Sequence, residues 1–239
     1  VRFVGNAQER ISEDYLRIFR FFRFYARYGD GAPDAEALAA CAAQADKIEK
    51  LSRERITQEV FKIISEPDPS SIIVLMVKTG VLPCLKNTYK ESVLASLCSL
   101  QARHDARDLM ARLLAIADMK PNYFEDGLVF SNAQKKHLEM LGMGLSHLRR
   151  PSKKSMRALV YRIGNQMALQ TYLLRLTERN DLPDLELLDI ARYWQAPAFP
   201  VKAEQLIAAG ISRGPELGQK LKELEEKWIK SDFSKVPGF

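Results

Sequence analysis

Three features of the sequence predict an all-α protein. Apolar residues recur at helical spacing along nearly the whole chain, and no run alternates apolar with polar residues as a half-buried strand does. Pro- and Gly-containing breaks also divide the chain into helix-length pieces. The first piece, 13–28, opens after Ser12, a good N-cap type, with Glu13 and Asp14 where the helix dipole favours acids, and stops at Gly29-Asp30-Gly31. The second, 34–49, is Ala-rich and so has high intrinsic helix propensity. A third, 53–65, is closed by Glu66-Pro67-Asp68-Pro69. Helical periodicity then predicts 70–79, 91–101 and 105–118, and the segment Pro121 to Gly127 separates these from 131–142. Pro151-Ser152 precedes 152–163, which is followed by 165–179, 184–193, 203–209 and, entered at Pro215, 215–230. Boundaries near 66 and 146 divide the chain into 1–66, 67–146 and 147–239, an elongated multi-helix array with no internal repeat.

Composition narrows the function classes. The 239 residues are 46% hydrophobic, enough to build packed cores, which excludes a disordered chain. Lys and Arg number 36 against 30 Asp and Glu, a net charge of +6 that is compatible with a polyanionic partner without requiring one. Cys41, Cys84 and Cys98 are too few and too scattered for a disulfide framework or a zinc site, and they read as core or helix-surface thiols in a reducing cytoplasm. No apolar run approaches the roughly 20 residues of a membrane span, and no signal peptide is evident. The His104-Asp105 pair has no upstream histidine to complete a metal site, so metal ligands are not expected in this chain.

The stretch ISEDYLRIFRFFRFYARYGD, 11–30, poses the functional question. It is an aromatic-rich helix that looks built for burial, yet it carries Arg17, Arg20, Arg23 and Arg27, and a buried guanidinium needs an acceptor. At about 100° per residue, Glu13, Arg17, Arg20 and Arg27 share a stripe opposite Tyr15, Ile18, Phe19, Phe22 and Ala26. Glu13 can orient Arg17 at i, i+4. Asp14 and Arg17, three residues apart, can both point into a cleft. There a carboxylate only accepts and a guanidinium only donates. Cytosine and adenine offer an amino donor beside a ring-nitrogen acceptor and satisfy such a pair. Uracil and guanine present the reverse order and leave both protein groups mispaired. The alternative reading of the same residues is a capped helix with i, i+4 ion pairs.

The run VRFVGNAQERISEDYLRIFRFFRFYARYG resembles the segment that follows the catalytic head in class II tRNA nucleotidyltransferases, the CCA-adding enzymes and their bacterial poly(A) polymerase relatives. In that family an E-D-x-x-R helix reads the incoming nucleotide, and the matching positions are Glu13, Asp14 and Arg17. RERITQEVFKII, 53–64, resembles the next helical motif, which braces the reading helix. FSNAQKKHL, 130–138, carries a weaker likeness. The tail, 199–233, is similar again, with Ala203 and Gln205 where related tails often have Gly and Asp.

The likeness implies a neck (1–66), a body (67–146) and an RNA-binding tail (147–239), with Asp14 and Arg17 pairing with CTP or ATP, Glu13 orienting Arg17 and Arg20 supporting the site. Nucleotidyl transfer would need Mg2+ held by carboxylates of a catalytic head preceding Val1. This chain is therefore expected to contain no catalytic residues, to bind no metal and to be inactive alone.

Two features suit a tRNA backbone. Arg149, Arg150, Lys153, Lys154 and Arg157 place five positive charges within nine positions, each able to release a counterion from a phosphate, although such runs also form ordinary solvated surface. In the turn from Gly210 to Pro215, Arg213 and Gly214 stand at a helix N-terminus, where backbone N–H groups attract phosphate; the alternative is a helical hairpin packed on the body. Trp194 and Trp228 are expected to anchor tail packing. The reading is thus the nucleotide-selecting and tRNA-binding part of a CCA-adding enzyme. A poly(A) polymerase of the same superfamily is the first alternative, and a non-catalytic helical scaffold for a protein partner is the second.

Overall fold

The computed structural model describes residues 1–82, 89–121, 123–124 and 127–234, and among them there is no strand. In chain order the helices are α1 (Ala7–Glu13), α2 (Leu16–Tyr28), α3 (Ala35–Ala43), a 3-10 segment (Ala45–Lys50), α4 (Arg53–Ile64), α5 (Ser70–Lys78) and α6 (Glu91–Arg103). They continue as α7 (Leu109–Ile116), α8 (Asn132–His147), α9 (Lys153–Ile163), α10 (Asn165–Arg179), α11 (Leu185–Tyr193), α12 (Ala203–Ala208) and α13 (Pro215–Lys230). The all-α class is therefore observed.

The opening of the chain differs from the expected single helix over 13–28. Asn6 caps α1, its side chain accepting from the Glu9 N–H at 3.1 Å. Asp14 then adopts an extended conformation (φ −155°, ψ 107°) that breaks the helix, and its Oδ1 accepts from the Leu16 N–H at 3.1 Å to start α2. Ser12 is consequently not an N-cap. It lies inside α1, where its hydroxyl donates to the Glu9 carbonyl at 2.7 Å. The expected helix over 34–49 is likewise split at Gln44, and α8 runs five residues past the expected end at 142.

Contacts group the chain into two compact units: Val1–Met143 with Leu173–Asp181, and Gly144–Tyr172 with Leu182–Phe239. In the first, α2 packs on α4 and α5, α4 on α7, and α6 on both α5 and α7. Ile18, Phe19 and Phe22 of α2, Val60, Ile63 and Ile64 of α4, and Ile72, Ile73 and Met76 of α5 are all buried. Each such side chain contributes about 1.5–3 kcal/mol by leaving water. Cys41 and Cys98 are buried thiols, pushed up to about 12 and about 11 chiefly by burial, while Cys84 lies outside the described residues.

One arginine of this core is nearly inaccessible. Arg112 of α7, 2% exposed, donates to the backbone carbonyls of Ile64 (2.7 Å), Glu66 (2.5 Å) and Pro67 (3.2 Å), and to Gln101 Oε1 (2.8 Å). It satisfies carbonyls that the end of α4 leaves without helical partners, and its charge sits at the negative end of that helix.

The second unit has its own core. Val201, Leu206 and Leu224 are buried together, with Phe199, Ile211, Leu217 and Leu221 packed against them. Trp228 meets Tyr161, Phe199 and Phe233 with ring centroids 4.9–5.6 Å apart, and Trp194 packs on Phe233 at 5.1 Å. Both tryptophans thus hold the tail together. Arg162 pairs with Glu226 at 2.7 Å, and Arg157 grips Asp232 with Nε on Oδ1 at 2.9 Å and Nη2 on Oδ2. Asp232 has a positive φ of 59°, which Asn also tolerates.

Hydrogen bonding from Arg157 holds the Asp232 carboxyl below its ordinary 3.8. A depressed carboxyl contributes stability that is full above the unfolded pKa and is lost as pH falls through the folded one. Asp232→Asn is therefore expected to cost about 0.5–1 kcal/mol at neutral pH, because the pair is partly solvated, and less at pH 2. Urea denaturation at the two pH values measures this, and an equal loss at both would assign the effect to packing.

Candidate functional site

The junction of α1 and α2 concentrates charge. The Asp14 carboxylate faces Arg55 of α4, whose Nη2 lies 3.2 Å from each of its oxygens, and Arg20 Nη1 is 3.9 Å from Oδ2. Glu13 Oε2 pairs with Arg17 Nη1 at 2.7 Å, and its Oε1 meets Arg10 Nη1 at 3.1 Å. Arg17 Nη1 also donates to the Arg10 carbonyl at 3.0 Å. Slight desolvation acts upward on Glu13, but Arg10 and Arg17 outweigh it and hold the carboxyl below its ordinary value.

Each carboxylate is thus held by guanidinium groups: Glu13 by Arg10 and Arg17, Asp14 by Arg55 with Arg20 nearby. The i, i+4 orientation of Arg17 by Glu13 is present as expected, and it bridges the helix break. The Arg17 backbone N–H donates to the Asp14 carbonyl at 3.0 Å, but the two side chains do not bond each other, so both keep capacity toward a third group. Asp14 remains 26% exposed and Arg17 34%. Arg17 and Arg20 line an open cleft with Phe21, Phe24 and the segment Val1–Val4, while Asp14 stands outside its wall.

Arg55 is the partner of Asp14 that sequence reading did not single out. It lies within the stretch read as a brace, but nothing local pairs it with Asp14, 41 residues earlier. The available signal was Glu59, an acid on the apolar face of α4. Only 5% exposed, the Glu59 side chain accepts at Oε1 from Arg23 Nη1 (3.1 Å) and Lys62 Nζ (3.0 Å), and its Oε2 lies 2.8 Å from Arg23 Nη1. Two cations therefore compensate one buried carboxylate, as a desolvated charge requires.

The four arginines of the opening stretch now have partners. Arg17 meets Glu13, Arg20 approaches Asp14, Arg23 bonds Glu59, and Arg27 lies over the Tyr28 ring at 5.7 Å.

The basic cluster of the second unit is less open than its charge suggests. Arg149, Arg150, Lys153 and Lys154 are exposed, but Lys153 Nζ is 2.7 Å from Glu186 Oε2. Arg157 is committed to Asp232 and leaves the phosphate-facing set. Arg213 and Gly214 are exposed at the start of α13, where Gly214 is the N-cap with φ 144° and Pro215 occupies the first turn. Glu216 in the same turn partly offsets the helix dipole there.

Residues 32–88 match the family described as the probable RNA and SrmB-binding site of polymerase A. The mitochondrial CCA tRNA nucleotidyltransferase 1 of Mus musculus is 30% identical over 98% of this chain and 55% of its own length. The Homo sapiens protein of the same name is 30% identical over 98% and 55%, and that of Danio rerio 29% over 98% and 56%. This chain spans about half the length of these curated relatives. A solved complex of a CCA-adding enzyme with CTP shares the fold, with a TM-score of 0.60 at 16% identity over 96% of this chain and 58% of that one. On its E-D-Y-L-R junction, its all-α architecture and a likeness that runs nearly end to end, the chain is similar over almost its whole length to about half the length of the CCA tRNA nucleotidyltransferases.

Proposed function

We propose that this chain selects the nucleotide and grips the tRNA in a CCA-adding tRNA nucleotidyltransferase, which adds C and A to tRNA 3′ ends from CTP and ATP. The observation that carries the reading is the junction at 13–17, where arginines hold both carboxylates in place. Asp14 accepts from the amino group of cytosine or adenine, and Arg17, oriented by Glu13, donates to the neighbouring ring nitrogen or carbonyl. Arg20 adds positive charge on the cleft side. Arg55 holds the Asp14 carboxylate against rotation, so that a base presenting a carbonyl in place of its amino group meets a fixed acceptor.

Chemistry at the phosphates is assigned to an N-terminal catalytic head of the intact enzyme. Among the described residues no group of three or more His, Cys, Asp or Glu side chains comes together to hold a metal ion, and Glu13 and Asp14 are engaged by arginines. Mg2+, bound by that head, would align the attacking hydroxyl with the α-phosphate. The scattered cysteines keep a reducing compartment, the cytoplasm, in the reading, beside relatives named as mitochondrial. No described helix is long and apolar enough to cross a membrane.

Equilibrium dialysis against each nucleotide tests the reading. CTP and ATP are expected to bind at least about tenfold more tightly than UTP and GTP, since mispairing leaves buried polar groups unsatisfied. Equal affinities for all four would favour the protein-binding scaffold. Poly(A) polymerase remains the second reading because the matched family is described by that name; preference for ATP over CTP would select it.

For the RNA grip, the triple substitution of Arg149, Arg150 and Lys154 by Ala is expected to weaken tRNA binding and to flatten its salt dependence. Each lost phosphate contact removes about 0.7–0.9 from the slope of log K against log salt. Filter binding across a salt series checks this, and an unchanged slope would make the cluster ordinary solvated surface.

A further inference from the structure

The second half of α2 shows a surface that nucleotide selection leaves unused. Ile18, Phe19, Phe21 and Phe22 are 0–3% exposed, yet Phe24 is 43% and Tyr28 67% exposed. The two exposed rings stack on each other, with centroids 6.3 Å apart and planes inclined by 29°. The Arg23 guanidinium lies 4.7 Å from the Phe24 centroid and that of Arg27 5.7 Å from Tyr28. These residues form one wall of a groove whose other wall is the end of α4, with Phe61, Lys62, Ser65 and Glu66.

Rings each accompanied by a guanidinium also occur at protein interfaces, but here Phe24 lies on the wall of the cleft that holds Arg17 and Arg20, which favours a nucleic-acid strand. Alternating cations and aromatic faces suit unpaired nucleotides, whose bases stack on rings while phosphates meet the cations. Arg23 and Lys62 share Glu59, and Glu66 is acidic, so the net positive charge of the groove rests on Arg27. Stacking rather than phosphate attraction is therefore its main resource. A duplex, whose base faces are covered, cannot use it.

Phe24 also lines the cleft that contains Arg17 and Arg20. The groove and the cleft are thus continuous along one helix, with Tyr28 about 16 Å from Arg17 at 1.5 Å per residue. We propose that Phe24, Arg27 and Tyr28 form a stacking platform for unpaired nucleotides of an RNA strand, which leads along α2 toward the nucleotide-selecting junction. The proposal rests on the RNA-binding part of the reading above and adds to it a site in the first unit.

The test is fluorescence anisotropy with 5′-fluorescein hexa-adenylate RNA, compared with a 12-base-pair RNA duplex. Tyr28→Ala is expected to weaken hexamer binding about tenfold or more, the scale of losing one stacked base, and to leave duplex binding unchanged. Tyr28→Phe, which preserves the ring and removes only the hydroxyl, should bind the hexamer like the wild type. Tyr28 is largely exposed, and circular dichroism of each variant confirms that the helix is retained.

Wild-type affinity in Tyr28→Ala and in the double variant Phe24→Ala, Tyr28→Ala would overturn the platform. So would failure of the wild type to bind the hexamer, an outcome that would leave the groove to a protein partner. Neither result touches nucleotide selection, which stands or falls on the dialysis preference. An effect of the 149–154 cluster on tRNA with none of Tyr28 on the hexamer would reject the platform and keep the grip.

Discussion

Replacing Arg112 by alanine is expected to cost the protein about 3–5 kcal/mol, the upper range for a single substitution. Four acceptors converge on this guanidinium: the carbonyls of Ile64, Glu66 and Pro67, and the side chain of Gln101. Alanine would leave them facing a cavity at 2% exposure, each carrying the desolvation penalty of a buried unsatisfied group. Burial acts downward on the Arg112 pKa, but a guanidinium stays charged at any pH the fold survives. Lysine at this position keeps the charge near the end of α4 but has three donors on a single nitrogen, so Arg112→Lys should lose roughly half as much. Guanidinium chloride denaturation of the three proteins gives the ranking, and a loss below about 1 kcal/mol for alanine would show that water replaces the arginine.

On the proposed function, Arg17→Ala is expected to lower kcat/KM for CTP and ATP about ten- to hundredfold in the full-length protein, the scale of one lost contact to the base. Arg17→Lys should rescue little: both protein contacts use Nη1 alone, leaving Nε and Nη2 to address neighbouring acceptors on the base as a single ammonium cannot.

At Asp14 the more informative change is asparagine. Asn can still accept from the Leu16 N–H and so preserve the start of α2. Its amide can also donate, which removes the fixed acceptor that uracil and guanine oppose. Asp14→Asn should therefore raise the use of UTP and GTP relative to CTP and ATP, whereas Asp14→Ala should lower CTP and ATP use and destabilise the junction as well. Single-turnover incorporation with all four nucleotides checks these outcomes. If each variant lost activity equally for every nucleotide, with reduced helicity, Asp14 and Arg17 would be structural residues only.

Much of the fold was legible because helix signals here are local. The apolar spacing of α2, the Pro-bounded end of α4 and the Pro215 entry to α13 all lie within a few residues of the features they set. What escaped depends on distant partners. Ser12 and Asp14 are both capping residue types two positions apart, and Arg55, 41 residues away, holds the second of them. The charge of 149–157 was visible, but Glu186 and Asp232, which take up Lys153 and Arg157, lie 33 and 75 residues further on. Arg112 reads locally as one polar position in the apolar run LMARLLAI, while three of its acceptors lie 45–48 residues earlier. The pairing of Glu13 with Arg17 was legible because its spacing is that of one helical turn, and it persists across the break between α1 and α2.

The two ties between α2 and α4 constrain the length of the opening stretch as firmly as its composition. Asp14 is fastened to Arg55 and Arg23 to Glu59, four residues further along α4. One residue inserted or deleted between Asp14 and Arg23 would turn everything beyond it by about 100° and shift it by about 1.5 Å. Arg23 would then swing away from the buried Glu59 carboxylate, and a ring would take its place. The interval from Asp14 to Arg23 can therefore vary in sequence over evolutionary time but cannot absorb an indel, and it should serve as a fixed ruler for aligning this chain with its relatives.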